Sequence, residues 1–357
     1  MKLWSIFGLS LGMSLAVQAQ AVTVATSFSI LEDMVKNVGG DEVKVVNFVG
    51  PDMDIHSYEI KPSDAKLLSK DVKVLFTNGL ELDNWANRLA KSSNFKGKIV
   101  AVSDGIQKQK LSEEVLGEED HDHEHEGHDH EAHDHEHEGH DHGAHDHEHE
   151  GHGHEAHDHE HEGHDHEHEG HDHAAEGHHD HHHGEFDPHA WQSLNNAQVY
   201  VDNIAKALSE VDTKNAATYA KNAAAYKQKL QALDSDLKKQ FAALPENRRY
   251  LVTTHDALGY FARDYQLKVL TPLGFTTTAE PSAKDVATVI KAIRDAKLPA
   301  VFLENVQNRK LVDQLANESG AKIGGTLYTD ALAAEGLGST YLGMIESNAK
   351  TILEALK

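Results

Sequence analysis

Three histidines stand apart from the other histidines of this chain and could bind a metal ion. The chain contains 31 histidines, and 28 of them fall within residues 121–183. The remaining three are His56, His189 and His255. Neutral imidazoles favour Zn²⁺, Cu²⁺ and Ni²⁺, whereas two or more carboxylates would favour Mn²⁺. A single loop histidine is usually an ordinary surface residue, but three at comparable positions indicate a metal site.

The positions of these histidines relative to predicted elements support that interpretation. His56 lies in a polar loop after a strand, His255 follows a strand and opens a helix at Asp256, and His189 precedes a helix. Ligands of α/β proteins bind beyond the carboxyl ends of strands. Asp330 follows the last predicted strand and is the candidate fourth ligand. Two alternatives remain, since an aspartate there is often a helix cap and water can also complete a zinc site.

The elements that must position these residues alternate between short β-like runs and helical stretches. Eight strands are predicted, at residues 22–26, 43–49, 72–76, 98–102, 250–254, 267–270, 300–303 and 322–324. Such alternation is typical of α/β architecture with mainly parallel sheets. Because four strands lie on each side of the middle, we expect two pseudo-symmetric lobes, with residues 22–212 in the first and residues 246–357 in the second.

A long helix is predicted between the lobes, in the linking segment 213–245. Apolar residues recur three and four positions apart from about residue 215 to 244, and Pro245 ends the pattern. At about 1.5 Å per residue this helix would be about 45 Å long, enough to contact both lobes. A helical link predicts a rigid connection without large hinge closure.

The N-terminus and the absence of cysteine bear on location. Lys2, an apolar run and small residues before Ala21 predict a secretory signal peptide over residues 1–21, the alternative being an ordinary N-terminal helix. With no cysteine, disulfides, thiolate ligands and a lipid-modified N-terminal cysteine are excluded. We therefore expect an unlipidated protein of the periplasm whose metal ligands are nitrogen and oxygen atoms.

Residues 113–185 form a His/Asp/Glu-rich insertion. It carries 28 of the 59 acidic residues and no Lys or Arg, which leaves 31 acidic and 33 basic residues in the rest of the chain. A segment so poor in apolar residues is predicted to be disordered. It should offer additional weak metal sites, either as a functional reservoir or only incidentally. The acidic balance and the lack of a basic patch argue against a nucleic-acid partner.

The chain resembles the metal-binding proteins of bacterial zinc and manganese ABC importers, and most closely the ZnuA-like zinc group. The resemblance covers the mature chain except the insertion. It rests on short motifs at His56 with Pro62-Ser63-Asp64, Asn78-Gly79-Leu80-Glu81-Leu82-Asp83-Asn84-Trp85, Asp187-Pro188-His189-Ala190-Trp191, Thr254-His255-Asp256-Ala257-Leu258-Gly259-Tyr260-Phe261, Glu280-Pro281-Ser282, Phe302-Leu303-Glu304-Asn305 and Tyr328-Thr329-Asp330-Ala331.

The resemblance implies two α/β lobes joined by a rigid helix, with the metal in the cleft between them. It implies the ligands His56, His189, His255 and Asp330, and a histidine at the third position is typical of zinc rather than manganese binders. It also implies capture of Zn²⁺ for an inner-membrane ABC permease and its ATPase. A periplasmic zinc chaperone is considered as a further partner, and a monomer is expected.

Two rival functions are less consistent with the sequence. A zinc enzyme would need an open coordination position and a general base, for which Asp54, Glu59 or Glu304 are candidates, but the chain has no His-Glu-x-x-His motif. A metal buffer that used only the insertion would not explain the two-lobed remainder. We therefore predict a binding protein rather than an enzyme.

Overall fold

The computed structural model describes residues 21–68, 71–110 and 184–357. The predicted signal peptide, except Ala21, and all of the His-rich insertion except its last two residues lie outside these ranges, so both stay predictions. In the described ranges, no helix combines the length and the apolar character that crossing a bilayer would require.

The described residues alternate between strands and helices as predicted, which confirms the α/β class. The strands are β1 (Val22–Phe28), β2 (Val43–Val49), β3 (Val74–Thr77), β4 (Lys98–Ala101), β5 (Tyr250–Val252), β6 (Lys268–Leu270), β7 (Ala300–Glu304) and β8 (Lys322–Leu327). The α-helices are α1 (Ser29–Gly39), α2 (Pro62–Leu68), α3 (Asn84–Ser92), α4 (Leu194–Val211), α5 (Ala216–Ala242), α6 (Gly259–Tyr265), α7 (Ala283–Asp295), α8 (Arg309–Ser319) and α9 (Tyr341–Leu356).

The first four strands form one parallel sheet in the order β2-β1-β3-β4. β1 is central, and its last five residues are fully buried. The loop after β2 carries His56 at the carboxyl-end edge of this sheet. Parallel strands place their carboxyl ends along one edge, so this sheet positions a candidate ligand where the sequence predicts it.

The last four strands hydrogen-bond as two parallel pairs, β5 with β6 and β7 with β8, rather than as one four-stranded ladder. β5 packs beside β7. Just beyond their ends, the backbone N–H of Thr254 donates to the carboxylate of Glu304, at 2.8 Å. A side chain therefore makes the connection that a ladder bond would otherwise supply.

The structure corrects the strand predicted at residues 250–254 and the helix predicted to open at Asp256. β5 ends at Val252, and α6 begins only at Gly259. The N–H of Asp256 donates to the carbonyl of Gly274, at 3.0 Å, and that of Ala257 to the carbonyl of His255, at 3.1 Å. These bonds turn the chain before the helix and place His255 in a tight bend.

The long middle helix α5 lies where the apolar pattern predicts it. Its buried stripe includes Tyr219, Tyr226, Leu230 and Phe241, and it packs against helices from both halves, including α1, α4, α6 and α9. With 27 residues it is about 40 Å long. It ends at Ala242, three residues before Pro245.

Two apolar cores hold the elements together. The larger core contains residues of the first sheet, α1, α4, α5, α6 and α9, so it joins both halves of the chain. The smaller core lies among α7, α8 and the last strands and includes Val289, Ile290, Val301 and Leu315. Because the larger core is shared, the two halves are held together by the burial of apolar side chains as well as by α5.

Candidate metal centre

The four residues singled out in the sequence, His56, His189, His255 and Asp330, come together in the structure. One nitrogen or oxygen of each lies within 4.8 Å of those of the other three. The side chains of His189, His255 and Asp330 are fully buried, whereas that of His56 is 8% exposed. This is a closed cluster of three imidazoles and one carboxylate, with His56 on its solvent side.

Four separations within the cluster lie near those around a tetrahedral zinc ion, and all four candidate ligand atoms lie within 4.8 Å of one another. Nε2 of His255 lies 3.0 Å from Asp330, Nε2 of His189 lies 3.4 Å from it, and Nε2 of His56 lies 3.8 Å from it. The two Nε2 atoms of His56 and His189 are 3.2 Å apart. Bonds of about 2.0–2.1 Å at tetrahedral angles place ligand atoms about 3.4 Å apart. All four side chains could therefore bind one ion.

The carboxylate of Glu304 holds His255 in place. Glu304 ends β7, and its Oε2 lies 2.7 Å from Nδ1 of His255. Its other oxygen accepts hydrogen bonds from the Thr254 backbone N–H and hydroxyl and from the N–H of His255. With Nδ1 against this carboxylate, Nε2 is left to face Asp330, as a metal ligand requires.

His189 has an equivalent buried carboxylate in Asp187. Oδ1 of Asp187 lies 2.8 Å from Nδ1 of His189 and also accepts the N–H of His189, at 2.8 Å. Both side chains are fully buried. A short helical turn, Ala190–Gln192, and then α4 follow directly, and the latter is capped by Ser193. Nε2 of His189 therefore points into the cluster.

His56 is held by its loop, residues 50–57, and not by a carboxylate at its ring. The backbone N–H of His56 donates to Oδ1 of Asp54, at 2.9 Å, and the neighbouring Ile55 is fully buried in the large core. Burial lowers the pKa of His56 to about 3. The imidazole is therefore neutral near pH 7 and available to a metal ion.

Burial and neighbouring groups act in opposite directions on the pKa values of His255 and Asp330. Burial alone would lower the pKa of His255, but Glu304 and Asp330 outweigh it and hold that pKa well above the ordinary value. Burial would raise the pKa of Asp330, but the charge and hydrogen bonding of His255 outweigh it and hold that pKa well below its usual range. Asp330 is thus ionised, and neither of its buried oxygens has a hydrogen-bond partner among the described residues. Such a carboxylate is suited to a cation.

The carboxylates Asp187 and Glu304 are the functional residues that the sequence reasoning missed in this role. Their signals were present, because Asp187 precedes His189 by two residues and Glu304 ends a buried strand beside β5.

Asp330 is not a helix cap, because the next helical turn begins at Leu337.

The three residues considered as a general base are placed differently. Glu304 contacts His255, Asp54 accepts hydrogen bonds from His56 and from Thr277, and Glu59 is exposed. A catalytic zinc site needs a base beside an open position. The hydrogen bonds of Glu304 and Asp54 instead hold two of the histidines.

The chain is similar to known metal-binding proteins. A sequence model of the family described as "Zinc-uptake complex component A periplasmic" matches residues 24–355. The chain is 28% identical to the iron-binding protein YfeA of Yersinia pestis, over 94% of this chain and 86% of that protein. It is 29% identical to the manganese-binding lipoprotein MntA of Bacillus subtilis, over 95% of this chain and 90% of that protein.

The fold is also similar to that of a solved structure, the periplasmic zinc-binding protein TroA of Treponema pallidum. The TM-score is 0.71 at 26% identity, and the match covers 94% of this chain and 99% of that chain. The relatives are thus named for iron, manganese and zinc.

Proposed function

Because the chain belongs to the ZnuA family of periplasmic metal-binding components of ABC transporters, we propose that its cargo is Zn²⁺, bound with high affinity by His56, His189, His255 and Asp330. The members of this family are solute-binding proteins and not enzymes. An inner-membrane permease and its ATPase are the partners that such a component serves.

The observation that carries the zinc proposal is the donor set. Three imidazole Nε2 atoms that lie 3.0 to 3.8 Å from the Asp330 carboxylate suit a four-coordinate zinc ion. Mn²⁺ is bound best by carboxylate, carbonyl and water oxygens at higher coordination number. Among relatives named for different metals, this donor set supports zinc.

The other finer features of the proposal rest on the sequence. A single tight site is accompanied by weak sites in the insertion, which 28 histidines and 28 acidic residues support. Some relatives are named as lipoproteins. This chain contains no cysteine, which supports an exported form without a lipid on an N-terminal cysteine. The monomeric state and a zinc chaperone stay predictions.

Competition between metals tests the proposal. The protein is given one equivalent of Zn²⁺ with increasing Mn²⁺ at neutral pH, and protein-bound zinc is measured after desalting. We expect zinc to remain bound in the presence of a hundredfold excess of manganese. Replacement of zinc by manganese near equal concentrations would contradict the zinc assignment.

A further inference from the structure

The loop that carries His56 is the part of the metal centre nearest to solvent. His56 is the one ligand candidate with measurable exposure, and residues 51–53 of the same loop are exposed. The other three candidates are fully buried. His56 is therefore the candidate ligand through which the cluster meets solvent, so the contacts that hold its loop in place bear on metal release.

Asp54 links the loop to the second half of the chain. One of its oxygens accepts the backbone N–H of His56, at 2.9 Å. The other accepts the hydroxyl of Thr277, at 2.6 Å. A single carboxylate thus joins the ligand-bearing loop to the segment between β6 and α7.

Asp52 makes a second connection on the same loop. Its oxygens accept hydrogen bonds from Nδ2 of Asn305, at 3.1 Å, and from the N–H of Ala334, at 2.9 Å. Its own N–H donates to the carbonyl of Leu332, at 2.9 Å. Asp52 also has a φ of 52°, in the left-handed region that non-glycine residues seldom adopt. These contacts hold the loop in a conformation it would not favour alone.

We propose that Asp52 and Asp54 form a latch that holds the His56 loop against the second half of the chain and sets the rate at which the bound metal leaves. The two aspartates are positioning residues that act through His56. The inference rests on the proposed function and extends it from binding to release. Transfer of the metal to the permease then requires the hydrogen bonds from Thr277, Asn305 and Ala334 to break.

The rate of zinc release from the full-length protein tests the latch. The chain is loaded with one equivalent of Zn²⁺ and mixed with an excess of a chromogenic chelator. The slow phase of zinc transfer to the chelator is then followed by absorbance. Thr277→Val removes the hydroxyl that donates to Asp54 and keeps the side-chain volume. We expect release about tenfold faster, as for loss of one hydrogen bond to a charged group. Asp52→Ala, which removes two acceptors, should accelerate release further.

Two matched variants separate the latch from a general loss of structure. Thr277→Ser keeps the hydroxyl and should release zinc at the rate of the unsubstituted protein. Thr276→Val removes a hydroxyl whose hydrogen bonds are to Thr278 within the same loop, and it should also leave the rate unchanged. Thermal unfolding of the metal-free variants is measured in parallel and should not follow the order of the release rates.

The contrary outcomes are distinct. Release from Thr277→Val within twofold of the unsubstituted protein, or equal acceleration in Thr276→Val, would overturn the latch and leave zinc binding by the four residues standing. Absence of a slow stoichiometric phase in the unsubstituted protein would overturn the proposed function and the latch with it.

Discussion

Oε2 of Glu304 lies 2.7 Å from Nδ1 of His255, both side chains are fully buried, and Nε2 of the same ring lies 3.0 Å from Asp330. Asp187 stands in the same relation to His189, at 2.8 Å. His56 lacks such a partner and depends on its loop. Two ligands of the proposed site are thus fixed by carboxylates and one by backbone.

The carboxylates that orient the imidazoles should matter for zinc affinity. Glu304→Gln and Asp187→Asn keep the volume of each side chain but remove the charge that fixes the ring. We expect each to weaken zinc binding about 10–100-fold in a chelator competition, as for partners behind other metal-bound histidines. Asp212→Asn is the control, since that buried carboxylate contacts Tyr219 and Asn215 instead. An affinity loss in the control equal to that in Glu304→Gln would argue against a specific role.

Removing a proposed ligand should cost more than removing its carboxylate partner. We expect His56→Ala, His189→Ala and His255→Ala each to weaken tight zinc binding by more than the about 10–100-fold expected for the carboxylate variants. Folding is checked by far-ultraviolet circular dichroism of the metal-free proteins. Retention of tight binding in any one of them would show that this histidine is not a ligand.

Zinc binding should release a proton from His255. Because Glu304 and Asp330 hold the pKa of His255 well above its ordinary value, the metal-free ring is protonated at neutral pH. Binding at Nε2 must displace that proton, while the neutral His56 has none to lose. Zinc affinity should therefore rise with pH below the pKa of His255, by about tenfold per unit for one displaced proton.

Calorimetric titration in two buffers of different ionisation enthalpy measures the protons released. The difference between the apparent binding enthalpies in the two buffers at pH 7 should correspond to the release of the one proton from His255. Equal enthalpies in both buffers would mean that His255 is already neutral.

The His-rich insertion should be dispensable for the tight site. Deletion of residues 118–183 removes the weak sites proposed there and leaves His56, His189, His255 and Asp330 in place. We expect the stoichiometry to fall to one zinc per chain with the tight affinity largely retained, in a titration monitored by inductively coupled plasma mass spectrometry. Loss of tight binding on deletion would place the specific site in the insertion instead.

The residue at position 255 should set the choice of metal. His255→Glu replaces one imidazole by a second carboxylate, and oxygen ligands move the preference toward Mn²⁺. We expect zinc affinity to fall, and the ratio of zinc affinity to manganese affinity to decrease by at least tenfold, in a competition titration. His255→Gln, which has a neutral side chain, should lose zinc without gaining manganese. A ratio unchanged in His255→Glu would show that this residue does not govern selectivity.

The sequence predicts the fold and the clustered residues for identifiable reasons. The apolar residues of the predicted strands, and those of the helix face from Tyr219 to Phe241, recur at spacings that indicate which side of each element is buried. The three histidines were separable because their residue type is otherwise confined to the insertion, and Asp330 because it follows a strand end. These features are local, so they can be read from the chain without coordinates.

Other features depend on contacts between distant residues. Asp52 meets Asn305 and Ala334 only after both halves have folded, and nothing near Asp52 in the sequence indicates these partners. The delayed start of α6 accompanies a hydrogen bond from the N–H of Asp256 to the carbonyl of Gly274, which lies far along the chain. A carboxylate such as Glu304 cannot be assigned to His255 until β7 is known to lie beside β5.

The most direct test of the account is anomalous X-ray diffraction from crystals of the protein grown with Zn²⁺ and excess Mn²⁺. Data on either side of the zinc edge identify the element, and the refined site identifies its ligands. We expect one zinc ion bonded to Nε2 of His56, His189 and His255 and to a carboxylate oxygen of Asp330. Manganese at that position, or zinc bonded to other residues while these four remain unbound, would contradict the account.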